Sequence, residues 1–244
     1  QLDIALVAVA KYKGRFCCAD AKKNIWYEFR DHRWHEMKDA LALKALIVED
    51  LILAYIHYKS DIAAQQKDFA EDTNRVARLM LQEKRIIAII TSLKNMNFVK
   101  NVVEFCKIKM HDPLFHKKMN ENKNILCCEN GVLDLDLCIF RDGRPDDYCT
   151  FSTGIHYQEY NEDDQEVLDY DMLVKKVYPN PNRRQYFLDM ITACLQGGNV
   201  NKRFIICTGE ANGGKSVTFN LMGLAFGDYM GKFPRQLLLK GNGV

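Results

Sequence analysis

Residues 207–219, with the sequence CTGEANGGKSVTF, contain the residue types that bind phosphate. Gly209, Gly214, Lys215 and Ser216 match the pattern G-x-x-x-x-G-K-[ST] in full. Glycines let the backbone curl so that successive N–H groups point at a phosphate, and a following helix adds the positive end of its dipole. The segment therefore predicts a phosphate-binding loop (P-loop), in which the residues expected to contact nucleotide are Gly209, Glu210, Ala211, Asn212, Gly213, Gly214, Lys215, Ser216 and Val217.

Two side chains of this loop have predicted chemical roles. Lys215 would reach the β- and γ-phosphates of ATP as a positive point charge, and we assign it the catalytic role. The Ser216 hydroxyl is the predicted ligand to Mg²⁺. The expected cofactors are therefore ATP and Mg²⁺. The alternative interpretation is a glycine turn that carries Lys-Ser by chance.

The sequence on both sides of the loop favours the P-loop over that alternative. Arg203–Thr208 is a short continuous apolar run, RFIICT, which predicts a strand buried on both faces. After the loop, an apolar stripe that Gly227 closes predicts a helix starting near Lys215. A strand before the loop and a helix after it are the context that the motif requires.

Upstream of the loop, short strand patterns alternate with helical ones. Aromatic-rich runs within residues 15–36 predict a small antiparallel meander, and residues 124–148 predict a second one with a tight turn at Asn130–Gly131. Apolar residues at helical spacing predict helices over 38–60, 74–93, 98–110 and 187–195. The expected fold class is α/β: a mixed helical and β-meander domain, followed by the opening strand, loop and helix of a P-loop NTPase core.

The late position of the loop predicts the domain organisation. We expect residues 1–160 to form one domain and residues 161–244 to begin a P-loop ATPase domain, with the acidic segment 159–171 near the boundary. Only 28 residues follow Ser216, too few for the remaining strands and the acidic Mg²⁺ ligand of such a core; Asp228, at a helix end, is a poor candidate. We therefore expect a piece of a longer protein, inactive as an ATPase by itself.

The composition of the chain limits which other classes of protein fit the sequence. The chain is 48% apolar, enough for a globular core, and its apolar runs are much shorter than the roughly 20 residues of a membrane span. Its first residues, QLDIALVAVAKYKG, are not typical of a signal peptide. Nine cysteines without a CxxC pair indicate reduced thiols, and His32 and His35 fit a hairpin surface better than a metal site. The net charge of +2 neither requires nor excludes nucleic acid.

Several longer segments resemble a known family. They are NILCCENGVLDL, RDGRPDDYCTFSTGIHY, VYPNPNRRQYFLDMITACLQGG and RFIICTGEANGGKSVTFNLMGLAFGDYMGKFP. They resemble the primase-helicases of poxviruses and related large cytoplasmic DNA viruses, with their phage and plasmid relatives. In that family a characteristic domain precedes a superfamily 3 helicase of the AAA+ class. Residues 3–34 resemble the start of that domain, so the likeness covers nearly the whole chain.

The resemblance implies a replication protein with a primase region, this middle domain, and a hexameric ATP-driven motor that unwinds DNA. It implies single-stranded or forked DNA, further copies of the chain and viral replication proteins as partners, no membrane, and the reducing host cytoplasm as location. Gly209, Gly214, Lys215 and Ser216 match the motor's Walker A positions. Asn212 stands one place earlier than the family's asparagine, so a role of that residue does not carry over. Walker B, the sensor asparagine, the arginine finger and the pore loops match nothing in this sequence.

Two other functions fit parts of the sequence. A nucleotide or metabolite kinase would bind a phosphoryl acceptor beside the loop, although the long upstream region disfavours this class. Alternatively, residues 1–160 are a single-stranded nucleic-acid-binding module in which Trp26, Tyr27 and Trp34 stack on bases. Such aromatic residues more often form the core of a hairpin. A helicase is distinguished from a kinase by whether single-stranded DNA or a metabolite stimulates its ATP hydrolysis. A base-stacking module is tested by measuring single-strand affinity after substitution of Trp34.

Overall fold

The computed structural model describes residues 1–199 and 202–234 of the 244-residue chain. These residues form two compact units. The first contains Gln1–Arg30 and His35–Lys117, and the second contains Asp31–Trp34 and the chain from Lys118 onward. The fold is mixed α/β with two small antiparallel sheets, as predicted. The division near residue 160 stays a prediction, and residues 235–244 of its second domain lie outside the described residues.

The first unit combines a three-stranded meander with helices. Its elements are α1 (Leu2–Lys11), β1 (Phe16–Asp20), β2 (Ile25–Arg30), β3 (Arg33–Lys38, whose first two residues belong to the second unit), α2 (Leu41–Val48), α3 (Asp50–Asp68), α4 (Thr73–Leu93), α5 (Met96–Lys109) and the short α6 (Phe115–Lys118), which ends where the second unit begins. The strands lie in the order β1-β2-β3. The first predicted meander is thus confirmed. The helix predicted over 38–60 is interrupted at Glu49, which gives α2 and α3.

The core of the first unit forms around Trp26 of β2. Trp26 is fully buried, and its indole Nε1 donates a hydrogen bond of 3.1 Å to the Asn24 side chain. Because the indole N–H has this partner, burial of the ring leaves no unpaired donor. Helical side chains of the same core include Ala5, Ala8, Leu43, Ile47, Val99, Val102 and Cys106.

The loop between β2 and β3 consists of Asp31 and His32. Both residues have positive φ angles, 49° and 64°. Two-residue loops with positive φ at both positions match the right-handed twist of paired strands, and Asp tolerates this conformation better than most residues. The imidazole Nδ1 of His32 accepts a hydrogen bond of 3.1 Å from the Gly143 backbone N–H, which orients this ring. Asp31 and His32 therefore join the last two strands of the predicted meander.

The second unit contains a smaller sheet and three longer helices within the described residues. Its elements are β4 (Ile125–Cys128), β5 (Gly131–Asp134), β6 (Ile139–Arg141), α7 (Gln165–Val177), α8 (Pro181–Leu195) and α9 (Lys215–Phe226), with 3₁₀ turns at Pro145–Asp147 and Gly227–Tyr229. Ile125 pairs with Asp134, and Cys128 pairs with Gly131. The predicted hairpin is therefore confirmed: Glu129 and Asn130 form its turn, and Gly131 begins β5.

An arginine stabilises the loop that follows this sheet. The Arg141 guanidinium donates two hydrogen bonds to the Asp147 carboxylate, at 2.8 and 2.7 Å, and lies 3.2 Å from the Asp134 carboxylate. Burial opposes ionisation of Asp147, but the hydrogen bonds from Arg141 and from the Arg144 backbone N–H prevail and lower its pKa. Bidentate pairs of this kind fix geometry as well as adding energy. These hydrogen bonds therefore hold the Asp147 side chain in a defined position.

Two of the longer helices, α1 and α7, were not predicted from the sequence. In α1 the buried residues Ile4, Ala5 and Ala8 share one face, but the segment is apolar on most sides and shows little periodicity. The acidic segment 159–171, predicted to lie near a domain boundary, contains the first half of α7. Its apolar face becomes visible only toward Val174 and Val177, beyond the acidic run.

Candidate functional site

The predicted P-loop forms a turn that leads directly into a helix. Residues 211–214 are turn and bend, and α9 begins at Lys215, where the sequence predicts it. Asn212 and Gly214 have φ angles of 60° and 79°, both in the left-handed region. The Gly213 N–H donates to the Glu210 carbonyl at 3.3 Å, which closes the turn. The glycine at 214 suits this conformation because it has no Cβ.

The Lys215 ammonium lies inside the curve of this loop. Its Nζ donates hydrogen bonds to the Gly209 carbonyl at 2.9 Å and to the Glu210 carbonyl at 2.6 Å. The side chain thus folds back from the first helical position across the mouth of the turn. A positive charge held there is placed to attract an anionic group, and carbonyl oxygens are weaker partners for it than phosphate oxygens.

The first turn of α9 presents backbone N–H groups that have no acceptor within the helix. The earliest intrahelical bond runs from the Thr218 N–H to the Gly214 carbonyl, at 3.1 Å. The N–H groups of Lys215, Ser216 and Val217 therefore precede the hydrogen-bonded ladder. They point along the positive end of the helix dipole, which favours a bound anion. The Ser216 side chain, the predicted Mg²⁺ ligand, is exposed beside them.

The end of α7 packs against the loop at Gly214. A Cβ at this position would lie 2.6 Å from Val177 Cγ2 and 2.9 Å from Cγ1, so no side chain fits. Gly214 is thus required both by its φ angle and by the closeness of Val177. Sequence reasoning missed Val177 as a residue that positions the loop. The signal was the spacing of Val174 and Val177 at the end of an otherwise polar segment.

The strand predicted before the loop is not formed. Residues 202–210 have no regular secondary structure, and the side chains of Phe204 and Ile206 are 81% and 73% exposed. A strand buried on both faces needs hydrogen-bonded neighbours on either side. Among the described residues no strand pairs with this segment. The prediction of a buried strand at Arg203–Thr208 is therefore wrong for the part of the chain that the structure describes.

The aromatic residues proposed to stack on bases are buried. Trp26, Tyr27 and Trp34 are 0%, 6% and 5% exposed. The Trp34 indole N–H donates to the Pro145 carbonyl at 2.8 Å, so both its face and its polar edge are engaged. A base cannot reach these rings without local unfolding. This corrects the interpretation of the first meander as a stacking platform and confirms the alternative, that its aromatic residues are core.

The cysteines are all free, and six of the nine are buried. Burial raises the pKa of the Cys106 and Cys127 thiols to about 11 and that of Cys149 to about 12. These thiols are therefore protonated at neutral pH and are poor nucleophiles and metal ligands. Among residues 1–199 and 202–234, no group of three or more His, Cys, Asp or Glu side chains is arranged to hold a metal ion.

A cavity of about 750 Å³ lies within the second unit, away from the loop. It is lined by residues of β4, α8 and α9, including Ile125, Met190 and Phe219. The loop residues 209–217 do not line it. In the described helices, none is long and apolar enough to cross a membrane.

Residues 5–192 match the family described as "D5 N terminal like" (D5_N). The chain is 34% identical over 225 residues to "Putative helicase L207/L206" of Acanthamoeba polyphaga mimivirus, covering 92% of this chain and 23% of that protein. It is 26% identical over 242 residues to "Putative helicase 121R" of Invertebrate iridescent virus 3, covering 89% of this chain and 25% of that protein.

A further relative, "Putative helicase 184R" of Invertebrate iridescent virus 6, is 35% identical over 122 residues, half of this chain and 13% of that protein. The chain thus spans about a quarter of the length of the first two relatives. The family match covers most of the sequence, and the relatives come from large DNA viruses, as the sequence resemblance implied. The chain therefore belongs to the D5 N terminal like family.

Proposed function

We propose that this chain is part of an ATP-driven DNA helicase of the primase-helicase type, and that residues 209–217 are its nucleotide-binding loop. The observation that carries the proposal is the Lys215 ammonium, which lies inside a left-handed glycine turn at the start of a helix. The helicase names of the viral relatives support a motor function for the longer protein.

The residues of the loop would divide the work of binding ATP. The free N–H groups at the start of α9 would hold phosphate oxygens, and the Lys215 ammonium would exchange its carbonyl partners for the β- and γ-phosphates. Ser216 is the residue that would hold Mg²⁺, which supplies charge neutralisation between the phosphates. Its exposed hydroxyl fits an ion that keeps several waters.

The wider assembly is proposed from the family resemblance. The longer protein would form a ring, most simply a hexamer, in which a neighbouring subunit's arginine completes each ATP site. It would act on single-stranded or forked DNA together with other viral replication proteins, in the reducing cytoplasm of the host cell. By itself, the segment 1–244 would cradle phosphate without orienting the attacking water.

ATP turnover by the full-length protein tests the proposal. Lys215→Ala removes a charge aimed at phosphate and no core packing, so hydrolysis should be abolished while the unfolding midpoint stays the same. Lys232→Ala removes the same charge from another exposed position of the second unit and serves as the matched control. Near wild-type hydrolysis by Lys215→Ala would contradict the P-loop assignment.

The same assay separates the helicase from a kinase. Single-stranded DNA should stimulate hydrolysis by the helicase, whereas a small-molecule kinase should respond to a phosphoryl acceptor. The burial of Trp26, Tyr27 and Trp34 removes the main support for a separate base-stacking module. Stimulation by a metabolite and not by DNA would favour the kinase.

A further inference from the structure

The far end of α9 carries polar contacts that nucleotide binding does not require. The helix ends at Phe226, and Gly227–Tyr229 form a 3₁₀ turn. The Asp228 N–H donates to the Ser152 carbonyl at 2.9 Å, and the Asp228 carboxylate accepts from the Ser152 N–H at 3.1 Å. Asp228, a poor candidate for a Mg²⁺ ligand from the sequence, therefore has a different partner. It pairs with one residue through two hydrogen bonds.

Tyr229 adds three further contacts next to this pair. Its hydroxyl accepts a hydrogen bond of 3.0 Å from the Cys127 N–H of β4 and lies 3.4 Å from the Phe151 carbonyl, to which it donates. The Tyr229 and Phe151 rings meet edge to face, with centroids 5.7 Å apart. The turn after α9 is thus fixed through both backbone and side-chain groups.

Gly227 lets the backbones approach this closely. Its φ angle is 52°, and a Cβ there would lie 2.7 Å from the Ser152 carbonyl oxygen and closer still to the Thr153 carbonyl. Any side chain at this position would separate the turn from residues 152 and 153. The contact therefore depends on a glycine for both conformation and space.

The segment that receives the turn is itself anchored. The Thr153 N–H donates to the Cys127 carbonyl at 2.9 Å, and the Ser152 hydroxyl donates to the Glu129 carboxylate at 2.7 Å. Glu129 also pairs with Arg33 at 2.9 Å. Ser152 and Thr153 are 2% and 3% exposed. Residues 151–154 therefore form a firm support attached to β4 and its hairpin.

The two ends of α9 are linked by one continuous helix. It has 12 residues, which corresponds to about 18 Å at 1.5 Å per residue. It contains no proline, and it stays helical through Gly223. A shift or tilt at the 227–229 end must therefore move the other end, which carries Lys215 and Ser216.

We propose that Gly227–Tyr229 act as a clamp, through which residues 151–154 position the P-loop helix and thereby set the affinity of the loop for ATP. The proposal rests on the proposed function of the loop and goes beyond it, because it assigns positioning residues that contact no nucleotide. Coupling between two sites is reciprocal, so bound nucleotide must also tighten the clamp. A clamp that serves only to stabilise the fold would not respond to nucleotide.

The test uses the full-length protein and matched variants. Gly227→Ala forces the turn away from residues 152 and 153, whereas Gly231→Ala adds the same methyl group where no atom lies within 4 Å. Asp228→Leu removes the acceptor for the Ser152 N–H, whereas Asp228→Asn keeps an acceptor oxygen. The measurements are ATP affinity, unfolding midpoint, and amide hydrogen exchange of residues 150–154 and 226–230 with and without a non-hydrolysable ATP analogue.

We expect Gly227→Ala and Asp228→Leu to bind ATP roughly tenfold more weakly, and Gly231→Ala and Asp228→Asn to bind within twofold of wild type. In the wild-type protein the analogue should slow exchange in both segments, and this effect should be lost in Gly227→Ala. Wild-type ATP affinity in folded Gly227→Ala and Asp228→Leu, or exchange that ignores the analogue, would overturn the clamp.

The Lys215→Ala variant distinguishes failure of the clamp proposal from failure of the P-loop assignment. If Lys215→Ala loses ATP binding while both clamp variants keep it, the clamp alone fails. If Lys215→Ala binds ATP like the wild type, the P-loop assignment fails, and the clamp proposal fails with it. If Gly227→Ala does not fold, the pair Asp228→Leu and Asp228→Asn decides by the same comparison.

Discussion

Lys215 and Ser216 are adjacent in the sequence but differ in what they contact. The Lys215 Nζ is held by two loop carbonyls, at 2.9 and 2.6 Å, whereas the Ser216 side chain is exposed at the first turn of α9. A positive charge that is hydrogen-bonded to neutral carbonyl oxygens forms stronger hydrogen bonds when charged phosphate oxygens replace them. An exposed hydroxyl can join the shell of a hydrated cation. Substitution of Lys215 is thus expected to impair phosphate binding, whereas substitution of Ser216 is expected to impair Mg²⁺ binding.

For Ser216→Ala in the full-length protein, we expect weaker binding of Mg²⁺ rather than a loss of contact with ATP. Losing one polar partner of a charged group costs about 1.5–3 kcal/mol. The Mg²⁺ concentration for half-maximal hydrolysis should therefore rise roughly tenfold or more. Ser216→Thr keeps the hydroxyl and should restore the wild-type titration. An unchanged Mg²⁺ titration in Ser216→Ala would show that Ser216 is not the ligand.

At the residue scale, the sequence predicted the local backbone geometry of a residue better than its burial and its contacts with distant residues. The motif places Lys215 at the start of a helix because glycines and the helix start are encoded within a few residues, and the structure has α9 begin there. It did not predict whether Trp34 is exposed. An aromatic residue in a short strand has the same local pattern whether its face is covered or open, and here Pro145, distant in the sequence, binds its N–H.

At the scale of elements, α7 and α9 meet at one glycine. Val177 ends α7 and leaves no room for a side chain at Gly214, the residue before α9. The packing of α7 therefore restrains the loop from one side. This contact was not predicted, because α7 lies in a segment whose acidic composition concealed its apolar face. The strand expected at Arg203–Thr208 failed for a related reason, since a strand needs neighbours that the run itself does not specify.

For Gly214→Ala, we expect weaker ATP binding because the new methyl group collides with Val177. The double variant Gly214→Ala with Val177→Ala removes both Cγ atoms and should recover part of the lost affinity. The remaining deficit would reflect the positive φ of 79°. A double-mutant cycle in the full-length protein measures the coupling between the two positions. Strict additivity of the two single effects would contradict a contact between α7 and the loop.

At the scale of the whole molecule, the chain matches only part of the viral proteins that it resembles. It spans about a quarter of the length of the first two viral relatives, and its family match ends at residue 192, before the loop. The ATP site proposed here would therefore depend on regions outside this sequence. In the family that the sequence resembles, that dependence extends to a neighbouring subunit.

We expect the full-length protein to form a ring, most simply a hexamer. Its mass in solution, measured with and without nucleotide, should show a multiple of the single chain that nucleotide stabilises. An oligomer would place a second subunit beside each loop, as the proposed site requires. A strictly monomeric protein that still hydrolysed ATP would contradict the ring.

Strand separation of a forked DNA duplex tests the central claim most directly. The full-length protein should separate the strands when ATP and Mg²⁺ are present, and should not do so without ATP. The Lys215→Ala variant should fail with ATP as well, while Lys232→Ala should match the wild type. Separation that continues in Lys215→Ala, or a wild-type protein that hydrolyses ATP without ever separating the strands, would contradict the account.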